Sequence, residues 1–160
     1  MLDQILPQRI DNTYRGHRLA IWLLTPVVFM KTAIALGSIF NGRVAAQSAD
    51  GIPLDSCGAK GADTVVTLFA MWGLSQLVIS AFGILSLIRY HALIPLMFVL
   101  LLFEALAKRW VLAVMPIART GAPPGLFVNL ALLTLIIVGL ALSLRRQVAL
   151  SSTEIGRAHV

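Results

Sequence analysis

Charged side chains are scarce. Asp, Glu, Lys and Arg together make up 12% of the 160 residues, too few to coat a water-soluble globule of this size. A single cysteine, Cys57, excludes an internal disulfide and any CxxC redox or zinc motif, and it is read as an unpaired loop thiol. Barrel-like alternation of apolar and polar residues is absent. So are a P-loop, a dinucleotide fingerprint, a nucleophile elbow and a metalloprotease motif. No catalytic residue, cofactor or metal is therefore assigned. His17 and His91 would share one membrane interface, but two imidazoles without a third ligand are read as ordinary interface residues.

What the chain has instead is apolar length. Hydrophobic residues reach 58%, with a mean hydropathy of +0.87, and concentrate in segments 19–40, 64–88, 92–117 and 125–144. A spanning helix needs about 20 mostly apolar residues, and lipid-exposed backbone must satisfy its own hydrogen bonds, so such runs imply helices. The expected fold is all-α, an integral-membrane four-helix transmembrane bundle forming one domain over 1–153. The closing EIGRAHV at 154–160 reads as an in-frame translation of a sequencing adapter, so Glu154, Arg157 and His159 are left out of fold reasoning. The third segment is the least regular, because Glu104, Lys108 and Arg109 interrupt it; it either stops near Trp110 or runs on to Ile117.

The connections differ in kind. NGRVAAQSADGIPLDSCGAKGAD is a polar loop long enough to carry short structure, RYH is short enough to make an antiparallel hairpin of segments two and three, and RTGAPPG is a breaker. Arg9, Arg15, Arg18, Arg89, Arg145 and Arg146 collect on one side. Arg43, Lys60 and Arg119 collect on the other, with Lys108 and Arg109 depending on where the third helix ends. The net charge of +6 therefore suits lipid headgroups rather than nucleic acid, and the bias places both termini in the cytoplasm. VAA at 44–46 resembles a cleavage site, but the apolar run before it is too long for a signal peptide. Residues 1–18 admit at most a short interfacial turn or helix because of Pro7 and Gly16.

Lys31 interrupts LTPVVFMKTAIALGSIF. A charge near the bilayer centre costs at least about 2.5 kcal/mol and calls for a partner. Lys31 lies twelve residues past Leu19 and Glu104 twelve past Ala92, so at about 1.5 Å per residue both reach roughly 18 Å from one edge. Glu104 is the only acidic residue in the four segments, which singles out a Lys31–Glu104 pair. Two competitors remain: Lys108, at i+4 from Glu104, could neutralise it together with Arg109, and Lys31 could instead snorkel outward. Gly73, Gln76, Ser80 and Gly83 share one helix face, as do Asn129, Leu132, Ile136, Gly139 and Ser143. Lys31, Gln76, Glu104, Lys108, Arg109 and Asn129 thus form a candidate intramembrane polar cluster, serving either as packing glue or as the lining of an outward-facing pocket. Trp22, Tyr90 and Trp110 fit aromatic belts, Trp72 lies deeper, and Pro26 and Pro95 are expected to bend their helices.

LAIWLLTPVVFMKTAIAL, the polar loop, GLSQLVISAFGILSLIRYHALIPLMFVLLLFEALAKR and the last apolar helix resemble the DoxX-like class of small four-helix bacterial membrane proteins. The resemblance implies a multi-pass protein of the bacterial inner membrane, sometimes linked to membrane redox complexes, and it carries over no functional residue. The expected role is a non-enzymatic accessory or scaffold subunit whose partners are the lipid bilayer and either further copies of itself or a larger membrane complex. A small oligomeric transporter of protons or a polar solute, using Glu104, is the alternative. A redox or quinone-associated subunit is the third.

Overall fold

The computed structural model describes residues 14, 16–119 and 121–145. Four long helices dominate it: α1 (Arg18–Phe40), α2 (Gly58–Ile88), α3 (Ile94–Val114) and α4 (Pro124–Leu144). Each lies in a stretch long and apolar enough to cross a membrane. Large apolar side chains face outward along their length, including Trp22, Phe29, Phe40, Phe103 and Trp110, and in water this surface would aggregate. The molecule is an all-α four-helix bundle and a multi-pass membrane protein. Arg9, Arg15, Arg146, Pro7, the interfacial turn expected before α1 and the adapter-like 154–160 lie outside the described residues.

Local chemistry sets the helix ends. The His17 side chain caps α1, its Nδ1 accepting from the Leu19 N–H at 3.2 Å. Pro124 opens α4 at its first position, where a missing N–H costs nothing. Pro95 likewise falls in the first turn of α3, after a 3-10 turn at His91–Leu93, so it starts that helix instead of bending it. Among the described residues only Pro26 is inside a helix. The structure ends α3 at Val114, short of Ile117 and past Trp110, because Pro116 forces Met115 out of helical geometry to φ −123°, ψ 78°. At its other extreme α2 begins at Gly58, a turn and a half before the apolar run, and the Thr64 and Thr67 hydroxyls bond back to the Lys60 and Asp63 carbonyls at 2.9 Å.

Helix α1 is the centre of the bundle, packing most extensively on α2 and next on α4, while α3 leans chiefly on α4. Glycines permit the closest approaches. A Cβ at Gly73 would lie 2.8 Å from the Ala35 carbonyl oxygen and one at Gly83 2.7 Å from Val28 Cγ2, so α2 sits almost backbone to backbone on α1. Gly139 lies under the Phe98 ring and lets α3 meet α4. The RYH link does not make α2 and α3 a close pair. They touch little along their length, since the small-residue face of α2 is already spent on α1. Ala20, Leu24, Val27, Ile94, Phe98, Leu101 and Ile136 form the buried core.

The loop after α1 is folded. A turn at Gly42–Val44 continues into a π-helical turn at Ala45–Ala49, and Ala46, Ile52, Leu54 and Ala62 close a second, smaller apolar cluster. Gly51 and Gly58 take left-handed φ values of 70° and 67°, which explains glycine at both turns. At the opposite end the His17 N–H donates to the Leu142 carbonyl at 3.4 Å, so the start of α1 and the end of α4 share one side of the bundle.

Ser80 is an exception to the paired interior. It is only 3% exposed and its hydroxyl has no hydrogen-bond partner. Ser80→Ala is expected to raise stability by about 1 kcal/mol, because an unsatisfied buried hydroxyl costs about that much. Denaturant titration of the detergent-solubilised protein measures it, and a loss of stability would show that the hydroxyl is paired.

Candidate functional site

Three helices each contribute one side chain to a closed polar triad. Lys31 comes from the face of α1 that also buries Leu24, Val27, Val28 and Ala35, so its ammonium is held inside the bundle at 8% exposure. Gln76 comes from the glycine-rich face of α2 and is 5% exposed. Glu104 follows Leu101 on the inward face of α3, one turn beyond the apolar core. The Lys31 Nζ donates to Gln76 Oε1 at 3.1 Å and pairs with Glu104 Oε2. Gln76 Nε2 in turn donates to Glu104 Oε1 at 2.8 Å. Every heavy polar atom of the three side chains is engaged, and the Gln76 amide is oriented by a cation on its oxygen and a carboxylate on its nitrogen.

The triad forms one wall of a cavity of about 340 Å³, which Lys108, Arg109 and Asn129 also line. Asp50, from the loop after α1, and Arg119, from the loop after α3, line it as well, so the cavity reaches the end of the bundle that carries those loops. The structure thus brings all six sequence-derived candidates to one cavity, three of them in mutual contact. Lys108 does not close on Glu104 one turn away. Its ammonium lies over the Trp72 ring, 4.2 Å from the centroid, and Trp72 is held edge-on by Phe69 at 6.1 Å. The ion pairs among the described residues are Lys31–Glu104 and the exposed Arg43–Asp63 at 3.8 Å.

Two functional-looking groups escape sequence reading. Asp50 stands in the long loop with nothing in its neighbours to mark it, and it reaches the cavity because Gly125, at the start of α4, lets the backbone of Ala49 and the Asp50 carboxylate come close. Arg119 is a plain loop cation in the sequence, and the fold leaves it exposed at the rim of the cavity. Trp72 did carry a signal, since it is the one tryptophan away from the ends of the apolar segments.

A second cavity of about 480 Å³ adjoins the first and shares Ile34, Asp50, Trp72, Lys108 and Asn129 with it. Its remaining wall is mostly apolar, built from Val44, Phe69, Pro124 and Val128 among others. Comparison of the chain with protein-family models, with curated proteins and with solved structures finds no match, so the reading of this site rests on its own geometry.

Proposed function

We propose that the chain is a non-enzymatic accessory or scaffold subunit of a bacterial inner membrane, working in the bilayer with copies of itself or within a larger complex. The observation that carries this reading is the closure of the Lys31–Gln76–Glu104 triad, which joins α1, α2 and α3 at one depth and leaves none of its charges to bind or transfer anything. Such a network discriminates registry: sliding α3 by one turn against α1 would strand two charges in a low-dielectric interior. It also ties α2 to α3, which otherwise touch little. Arg18, Arg89 and Arg145 lie at one end of the bundle, which supports a cytoplasmic location for that end and for both termini. The resemblance to DoxX-like proteins belongs to this proposal and rests on the quoted segments.

A specific observation favours a second reading, a small transporter of protons or a polar solute: Glu104 lines a cavity that extends to the loops. The two readings separate in liposomes. Purified protein is expected to give a proton flux no larger than empty vesicles at any pH between 5 and 8. A flux well above that level and abolished by Glu104→Gln would overturn the accessory reading in favour of transport.

A further inference from the structure

The charges around the first cavity do not balance. Lys31, Lys108, Arg109 and Arg119 face it, against only Asp50 and Glu104. Glu104 is taken up by Lys31, the Asp50 carboxylate lies beside Gly125 at the start of α4, and the Lys108 ammonium rests on Trp72. Arg109 and Arg119 form no ion pair and no side-chain hydrogen bond among the described residues. Two guanidiniums outside any ion pair therefore line a partly open cavity, Arg109 half-buried and Arg119 at its exposed rim, with cations outnumbering anions around it. Such a site favours an anion with several acceptor oxygens, and the planar guanidinium fork suits a carboxylate or phosphate head.

The second cavity tells what else that anion carries. It opens beside Lys108 and Trp72 and offers apolar side chains from α1, α2 and α4. We propose that the two cavities together bind one single-chain anionic amphiphile, its carboxylate or phosphate head at Lys108, Arg109 and Arg119 and its apolar chain along Phe69, Trp72 and Val128. Each cavity falls within the range of roughly 300 to 1,000 Å³ common for small-molecule sites. The Trp72 ring, shared by both, lies at the junction between head and chain. The inference goes beyond the accessory role and does not depend on it, since the triad contributes the wall and not the head contacts.

Trp72 supplies the reporter. Full-length protein carrying Trp22→Phe and Trp110→Phe, reconstituted in nanodiscs of zwitterionic lipid, is titrated with decanoate while Trp72 emission is followed. Decanol serves as the uncharged analogue and acetate as the head alone. Saturable binding of decanoate at least tenfold tighter than either analogue is the expected result. Arg109→Gln with Arg119→Gln is expected to weaken it at least tenfold, and Arg109→Lys with Arg119→Lys to keep most of it. Decanol binding as tightly as decanoate would reduce the site to an apolar cleft and overturn the proposal. Acetate binding as tightly as decanoate would overturn the role of the second cavity. A folded Gln variant, judged by unchanged thermal unfolding, that binds decanoate like the wild type would overturn the head assignment.

Discussion

Glu104→Leu is expected to lower the stability of the bundle by about 3 to 5 kcal/mol, the cost of breaking a buried ion pair and leaving its partner alone. The partner here is the Lys31 ammonium, which would keep only the Gln76 oxygen. Lys31→Met is expected to cost a similar amount by stranding Glu104 in the same wall. Their combination behaves differently. With both charges replaced by apolar groups of similar length, only Gln76 loses partners, a cost of about 1 to 3 kcal/mol, so the double variant is more stable than either single one. Reversible unfolding in mixed micelles measures all three. A double variant as unstable as the sum of the singles would mean that the two side chains act independently.

Gly73→Val is the second large effect. Its Cβ would lie 2.8 Å from the Ala35 carbonyl oxygen and 2.9 Å from Ser38 Cβ, and the first of these is backbone that cannot rotate away. Separation of α1 from α2 follows, with a loss of about 3 kcal/mol or more, at or above the upper end of ordinary overpacking. Because Gln76 rides on the same face one turn later, the shift also withdraws it from Lys31 and Glu104. Gly37 supplies the contrast: nothing lies within 4 Å of a Cβ built there, so Gly37→Ala is expected to be neutral or to gain about 0.5 to 1 kcal/mol from helix propensity. Equal losses at the two glycines would show that the close α1–α2 approach is absent in the membrane.

The helices were legible in the sequence because a bilayer leaves backbone few choices: apolar length alone implies helix, and the segment edges agree with α1 and α4 to within a residue. The buried faces were legible for the same reason. Gly73, Gln76, Ser80 and Gly83 recur at helical spacing and all are buried in α2, as are Leu132, Ile136, Gly139 and Ser143 in α4. Depth counting brought Lys31 level with Glu104, since rise per residue is nearly constant. Helix pairing was less accessible. The shortness of RYH says that α2 and α3 are neighbours at one end, whereas the extent of their contact depends on which face each has already committed, and α2 commits its own to α1. Asp50 and Arg119 lay beyond reach because loop geometry, here the π-helical turn and Pro116, decides where their side chains go. The destination of Lys108 was ambiguous too: i+4 spacing offers Glu104, but Trp72 on a different helix lies closer to the path of its side chain.

Lys31 and Glu104 form one interhelical pair, and on the proposal above that pair sets the registry of the bundle. A charge-swap cycle probes this pairing, with Lys31→Glu, Glu104→Lys and the double exchange compared by thermal unfolding after detergent extraction. Each single exchange places two like charges in contact and is expected to lower the melting temperature sharply, while the double exchange restores the pair in reverse and recovers more than half of the combined loss. Losses that simply add, with no recovery in the double exchange, would show that the two side chains do not pair and do not set the registry.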